Sequence, residues 1–109
     1  MIANALLRVE NTVGLPPAPF EQPRSDLAFW VLELSPYEPE LKTQCEEIMN
    51  RLALHQDLIK DLAARNLRIV LHLAIDNPAH QPFQISVNLL RIAADFHADL
   101  EIYQWPSDV

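Results

Sequence analysis

One glycine, Gly14, is all the chain has. Phosphate cradles and dinucleotide fingerprints need glycines where the backbone must approach the ligand closely, so both motifs are absent. Cysteine is as scarce. Cys45 alone cannot form an internal disulfide, and its place on a helical apolar stripe reads as a small buried thiol. Positive charge is short too. Eight Lys and Arg against fifteen Asp and Glu leave a net charge of -7, which speaks against a nucleic-acid partner. The opening "MIANALLRVENTVG" has no basic n-region and no long apolar run. Neither a signal peptide nor a membrane contact is expected from it, and a cytoplasmic location follows as the expectation.

What is present is a globular composition, 50% hydrophobic and 21% charged over 109 residues, read as one domain, 1–109. All but one of the nine prolines fall in three groups, 15–23, 35–39 and 77–82, which mark loops; Pro106 closes the last apolar run.

Between the loops the apolar pattern sets the elements. "LAFWVLEL" (27–34) is apolar on both parities and reads as a central strand. Leu41, Cys45, Ile48 and Leu52 recur at helical spacing. "HQDLIKDLAARN" is a second helical stretch, separate or continuous with a bend near His55. "LRIVLHLAI" (67–75) is the clearest strand, and "FQI" (83–85) reads as a short one. Ser86 reads as an N-cap, with Ile85 and Leu90 placed as a hydrophobic staple. The helix after it points Leu89, Leu90, Ala93 and Phe96 inward. "LEIYQW" (100–105) alternates and predicts a strand. Residues 1–26 read as an irregular, proline-rich segment with room for a short helix or strand, ahead of a core at 27–105. The fold class predicted is α+β: a two-layer α/β sandwich of ferredoxin-like type, with helices on one face of a mostly antiparallel sheet.

"DFHAD" (95–99) poses a choice between a site and a helix end. On a strand, Asp95, His97 and Asp99 would share one face. On a helix each residue advances about 100°, so Asp95 and His97 diverge. The helix-end reading places His97 on the apolar side of the last turn and leaves no metal site. The other histidines, 55, 72 and 80, lack metal-ligand spacing. Ser25, Ser35, Ser86 and Ser107 sit at turn or cap positions, outside any nucleophile elbow. No catalytic, cofactor-binding or metal residue is assigned, and no cofactor is expected.

One surface stands out. With Leu100 and Ile102 facing the helices, Glu101, Tyr103 and Trp105 face away. On the other strands the outward sets are Phe29, Val31 and Glu33, and Arg68, Val70, His72 and Ala74. Phe29, Val31, Glu33, Arg68, Val70, His72, Glu101, Tyr103 and Trp105 therefore form a candidate interaction surface, rich in the residue types that anchor interfaces. Either the proline-rich segment covers it, or a second copy or another protein does.

The order Trp30 to Glu33, a Leu-rich helix, an apolar strand followed by "DNP", then "ISVNLLRIAADFHADLEIY", resembles the bacterial domain of unknown function family 4279. The matching positions are Ile85, Ser86, Leu89, Leu90, Ala93, Ala98, Leu100, Ile102 and, one place early, Tyr103. The family usually has an earlier strand and an L-G-I-x-P segment. Here "VGLPP" (13–17) matches the segment, and no earlier strand is evident. The resemblance spans about residues 27–105. It implies an α/β fold and no established activity.

The expected function is a protein-interaction module without catalysis, most simply a homodimer. One alternative is an immunity-like protein that neutralises a basic toxin through acidic residues such as Glu40, Glu46 and Glu47. Another is a small enzyme with His72 and Glu33 or Glu101 as an acid–base pair on the open sheet face.

Overall fold

Ala5, Leu7 and Val9 alternate with Leu6, Arg8 and Glu10, and this period of two makes Ile2–Glu10 a strand, β1. The computed structural model describes residues 1–24 and 28–105; the expected strand start at Leu27, the positions of Ser25, Pro106 and Ser107, and the side chain of Trp105 lie outside them. β1 corrects the expectation of an irregular N-terminus. It is an inner strand of the sheet, paired on both sides. The Trp30 strand, β2 (Phe29–Glu33), runs antiparallel to it with Leu7 opposite Leu32 and Val9 opposite Trp30. On its other side β3 (Arg68–Asp76) is also antiparallel, with Leu7 opposite Leu71. β4 (Asp99–Trp105) then pairs in parallel with β3, Leu71 opposite Leu100 and Leu73 opposite Ile102.

The sheet order is β2-β1-β3-β4, so β2 is an edge strand rather than a central one. Its outer edge is closed by the chain itself. Glu21 exchanges two backbone hydrogen bonds with Val31, at 2.9 and 2.7 Å, and neighbouring Phe20 is buried in the core that holds Trp30. The strand order differs from that of a ferredoxin-like sheet, and one of the three pairings is parallel. Two strands precede the first helix, and residues 83–85, expected as a short strand, form none. Phe83 and Ile85 instead pack from a loop against the core.

The helices are α1 (Leu41–Leu54), α2 (Gln56–Ala64) and α3 (Val87–Asp95). The long helical stretch is thus two helices, broken at His55, whose φ of -119° and ψ of 20° leave the helical basin. Cys45, Ile48 and Leu52 of α1, Ile59 and Leu62 of α2, and Leu89 and Ala93 of α3 join Ala5, Leu7, Val9, Ile69, Leu71, Leu73 and Ile75 in one core. Ser86 caps α3 as its sequence predicts, its hydroxyl accepting from the Asn88 amide at 3.2 Å. Leu90, expected inward, is exposed. Leu89 and Ala93, four apart, form the buried stripe, and Leu90 lies about 100° off it.

A β-bulge between Ile2 and Asn4 shifts the register. It turns Ile2 into the core and leaves Ala3 exposed. The Ile2 backbone is then satisfied by a side chain. Its amide donates to Gln44 Oε1 at 2.9 Å, and Gln44 Nε2 donates back to its carbonyl at 3.3 Å. Gln44 is itself buried, so this pair ties α1 to the start of β1.

With one glycine available, other residues fill the left-handed backbone positions. Asn11, Asn66, His80 and His97 all have φ between 52° and 62°. His97 ends α3 in a Schellman arrangement: its amide donates to the Ala94 carbonyl and that of Ala98 to the Ala93 carbonyl, both at 2.9 Å. This corrects the expectation that His97 lies on the apolar side of the last turn; the left-handed residue points it into solvent.

Two outcomes follow. Gln44→Leu keeps the volume but strands the buried Ile2 amide, and is expected to cost about 1–3 kcal/mol in urea unfolding. His97→Gly removes the steric cost of the left-handed position but loosens the unfolded chain. A net gain of about 0.5–1 kcal/mol is expected, read as a higher thermal midpoint.

Candidate functional site

The strand registers assemble the sheet face opposite the helices in rows. Leu6 lies between Glu33 and His72, with Glu101 beyond; Arg8 lies between Val31 and Val70, with Asp99 beyond; Glu10 lies between Phe29 and Arg68. Five of these side chains and His72 form one continuous polar chain. His72 Nδ1 is 2.7 Å from Glu101 Oε1. The two Glu101 oxygens face Nη1 and Nη2 of Arg8, each at 3.3 Å. Arg8 Nε donates to Glu10 at 2.8 Å, Arg68 Nη1 donates to the other Glu10 oxygen at 3.1 Å, and Arg68 Nε donates to Asp99 at 3.1 Å.

This chain accounts for what happens to the apolar residues beneath it. Val70, expected to be an open-face contact, is 1% exposed. Arg8 and Asp99 are its cross-strand neighbours, and arginine stems shield apolar surface while their heads stay wet. Phe29 and Val31 are half-buried. Tyr103 remains 46% exposed, and Glu33 and Arg68 are also exposed. The face is therefore mainly polar, with its apolar exposure concentrated at β4.

The ion pairs hold the Glu101 carboxyl below the usual carboxylate range, first through the hydrogen bonds from Arg8, then through His72. Arg8 is pushed up, chiefly by Glu101, against the opposing cost of partial burial. Arg68 is pushed up by its bond to Asp99 and by Glu10. Arg8 and Glu10 were missed by the sequence reading because their strand was. The signal was present in "LLRVE", where Arg8 and Glu10 alternate with Leu7 and Val9.

Of the two carboxylates weighed as partners of His72, the structure brings one to it. Glu101 is adjacent. Glu33 is two strands away, and its carboxylate accepts from the Ser35 amide at 3.1 Å and from the Ser35 hydroxyl. A groove of 730 Å³ runs along β2, lined on the sheet by Leu6, Phe29, Val31 and His72 and walled by Pro19 and Pro23. Among the described residues no Ser, Thr or Cys lines it. The proline-rich segment thus runs beside the edge of β2 and borders the face; it leaves Tyr103 and the β4 margin uncovered.

The other singled-out residues have structural places in the fold. Asp99 is tied to Arg68, while Asp95 and His97 are exposed at the end of α3, so "DFHAD" does not converge. Among the described residues no three His, Cys, Asp or Glu side chains group to hold a metal ion. Cys45 is buried. Glu47 accepts from the amides of Tyr37 and Glu38, both at 2.9 Å, and so shapes the "SPYEP" loop. Asn77 of "DNP" clasps the next loop, donating to the Gln81 carbonyl at 2.7 Å and accepting from its amide at 3.2 Å. No helix among the described residues is long and apolar enough to cross a membrane. No protein-family model, curated protein or solved structure matches the chain.

Glu101→Gln tests the ion-pair chain. Because the folded-state carboxyl is pushed down, its stabilisation is complete above the ordinary carboxylate value, about 4.3, and is lost as pH falls through the lower folded value. Glu101 is nearly half exposed and Arg8 partly so, and less than about 1 kcal/mol is expected at pH 7. The difference from wild type should shrink towards zero in thermal melts taken at successively lower pH.

Proposed function

We propose that this chain is a protein-interaction module without catalysis, built on a two-layer α/β sandwich, acting in the cytoplasm and docking a protein partner along the β4 side of its sheet. One observation carries the reading. β4 is the terminal strand, and its exposed apolar residues lie on both of its faces: Leu100 and Ile102 on the helix side and Tyr103 on the other. Among the described residues nothing pairs with its outer edge. An edge of this kind offers backbone hydrogen bonds and side-chain contacts to an incoming partner. A net charge of -7 supports a protein rather than a nucleic acid in that role. Kinship with the domain of unknown function family 4279 is proposed with it. β1 supports that kinship by standing where that family usually has its earlier strand.

An acid–base role for His72 is the second reading, favoured by the 2.7 Å contact with Glu101. It draws less support. Both Glu101 oxygens are engaged by Arg8, and among the described residues the groove beside His72 supplies no hydroxyl or thiol. The immunity-like reading is weaker still, because Glu47 is occupied by its own loop.

The test uses two tyrosines. A photo-crosslinking phenylalanine analogue at position 103 is compared in living cells with the same residue at position 37, which is 89% exposed on a loop. Protein adducts specific to position 103 are expected, identified by mass spectrometry. Equal or absent adducts at the two positions would remove the β4 docking surface.

A further inference from the structure

The two edges of the sheet are treated differently by the same chain. The outer edge of β2 is closed by the Glu21–Val31 bridge and backed by buried Phe20. The outer edge of β4 carries seven residues, "DLEIYQW", without a lysine, proline, glycine or bulge to blunt it. Resting on the docking reading above, we infer that the occupant of this edge is a second copy of the same strand. It pairs antiparallel about a two-fold axis through Ile102, giving a continuous eight-stranded sheet.

The register follows from symmetry and charge. A two-fold axis perpendicular to the sheet pairs residues of equal parity, so the axis must pass through a residue rather than between two. Centred on Glu101, it would set two carboxylates directly opposite each other. Centred on Ile102, it places Glu101 opposite Tyr103, Leu100 opposite Gln104 and Asp99 opposite Trp105. No like charges then face each other, and all seven residues are used. Ile102 is the midpoint of the strand. Pro106, next in sequence, has no amide to extend the ladder.

The side chains agree with that axis. On the helix side, Ile102 at 47% exposure would meet its symmetry mate across the seam, and Leu100 at 38% would lie opposite Gln104 of the second copy and diagonal to its Ile102. On the opposite side the two acids nearest the seam are already neutralised within their own subunit, Glu101 by Arg8 and Asp99 by Arg68. A chain with a net charge of -7 can therefore bring these strands together without setting bare carboxylates against each other. A seam of one strand pair is small, so the dimer is expected to dissociate on dilution.

Cysteine scanning reads the register directly. Cys45 is buried, and the wild-type chain serves as the unlinked control. Ile102→Cys is expected to form a disulfide-linked dimer under mild oxidation, because the two positions would lie face to face. Leu100→Cys alone should not link, since its mate would be four residues away, roughly 13 Å. Leu100→Cys mixed with Gln104→Cys should link. Light scattering of the wild type at about 100 µM, where weak interfaces of this size associate, should give twice the mass of the chain. Ile102→Arg, at an exposed position, should be monomeric with an unchanged circular dichroism spectrum. A wild type that stays monomeric overturns the second-copy inference but leaves the docking reading to the position-103 adducts, which would then contain another protein. A dimer in which Leu100→Cys links to itself overturns the register. A dimer unaffected by Ile102→Arg, with no link at position 102, overturns the inference by moving the interface off β4.

Discussion

Leu7 sits between Leu32 on one side and Leu71 on the other, and the whole sheet is registered through that strand. Because side chains alternate at a period of two, this one alignment decides which residues of β2 and β3 enter the core and which meet solvent. It places Ala5, Leu7 and Val9 in line with Trp30, Leu32, Ile69, Leu71 and Leu73 under the helices. It also gathers Arg8 and Glu10 against His72, Arg68 and Glu101 on the other side. A slip of one residue in β1 would bury Arg8 and Glu10 and expose Leu7 and Val9. The Gln44 clasp on the Ile2 backbone holds the strand against such a slip at its start, beyond the bulge.

The face without helices is stabilised in a different way. Its valine and alanine lie low, and long polar side chains spread over them in a chain of alternating sign. Each exposed pair contributes little by itself. Their combined effect is to make a sheet surface that needs no covering layer, because the apolar area it would otherwise show is already shaded. On that face the shading gives out at β4, where Tyr103 remains open; Leu100 and Ile102, on the helix side of the same strand, are open as well.

Much of this was legible in the sequence because it depends on local periodicity. The Leu41, Cys45, Ile48 and Leu52 stripe, the Ser86 cap and the strands at 67–75 and 100–105 are short-range patterns, and the structure places them as read; near His55 the sequence left a bend or a break open, and the structure has a break. β1 was not read, because "IANA" has weak strand propensity and the bulge interrupts its alternation just where the strand begins. Missing it turned β2 into a central strand, hid Arg8 and Glu10, and suggested a ferredoxin-like order. Of the face residues, Val70 looked like a contact. Only the positions of Arg8 and Asp99, from two other strands, reveal that it is covered. Its burial is a property of the assembled sheet and has no local signature.

An inner strand that precedes both of its partners has a further consequence during synthesis. β3 lies roughly 60 residues after β1, an interval of about 3–12 s at ordinary elongation rates. Through that interval Leu7 and Val9 can acquire β2 alone, and a two-stranded hairpin is marginal in water. The nascent chain therefore carries a half-paired apolar ribbon until β3 emerges. Chaperone occupancy, if it matters for this protein, should centre on that window of translation.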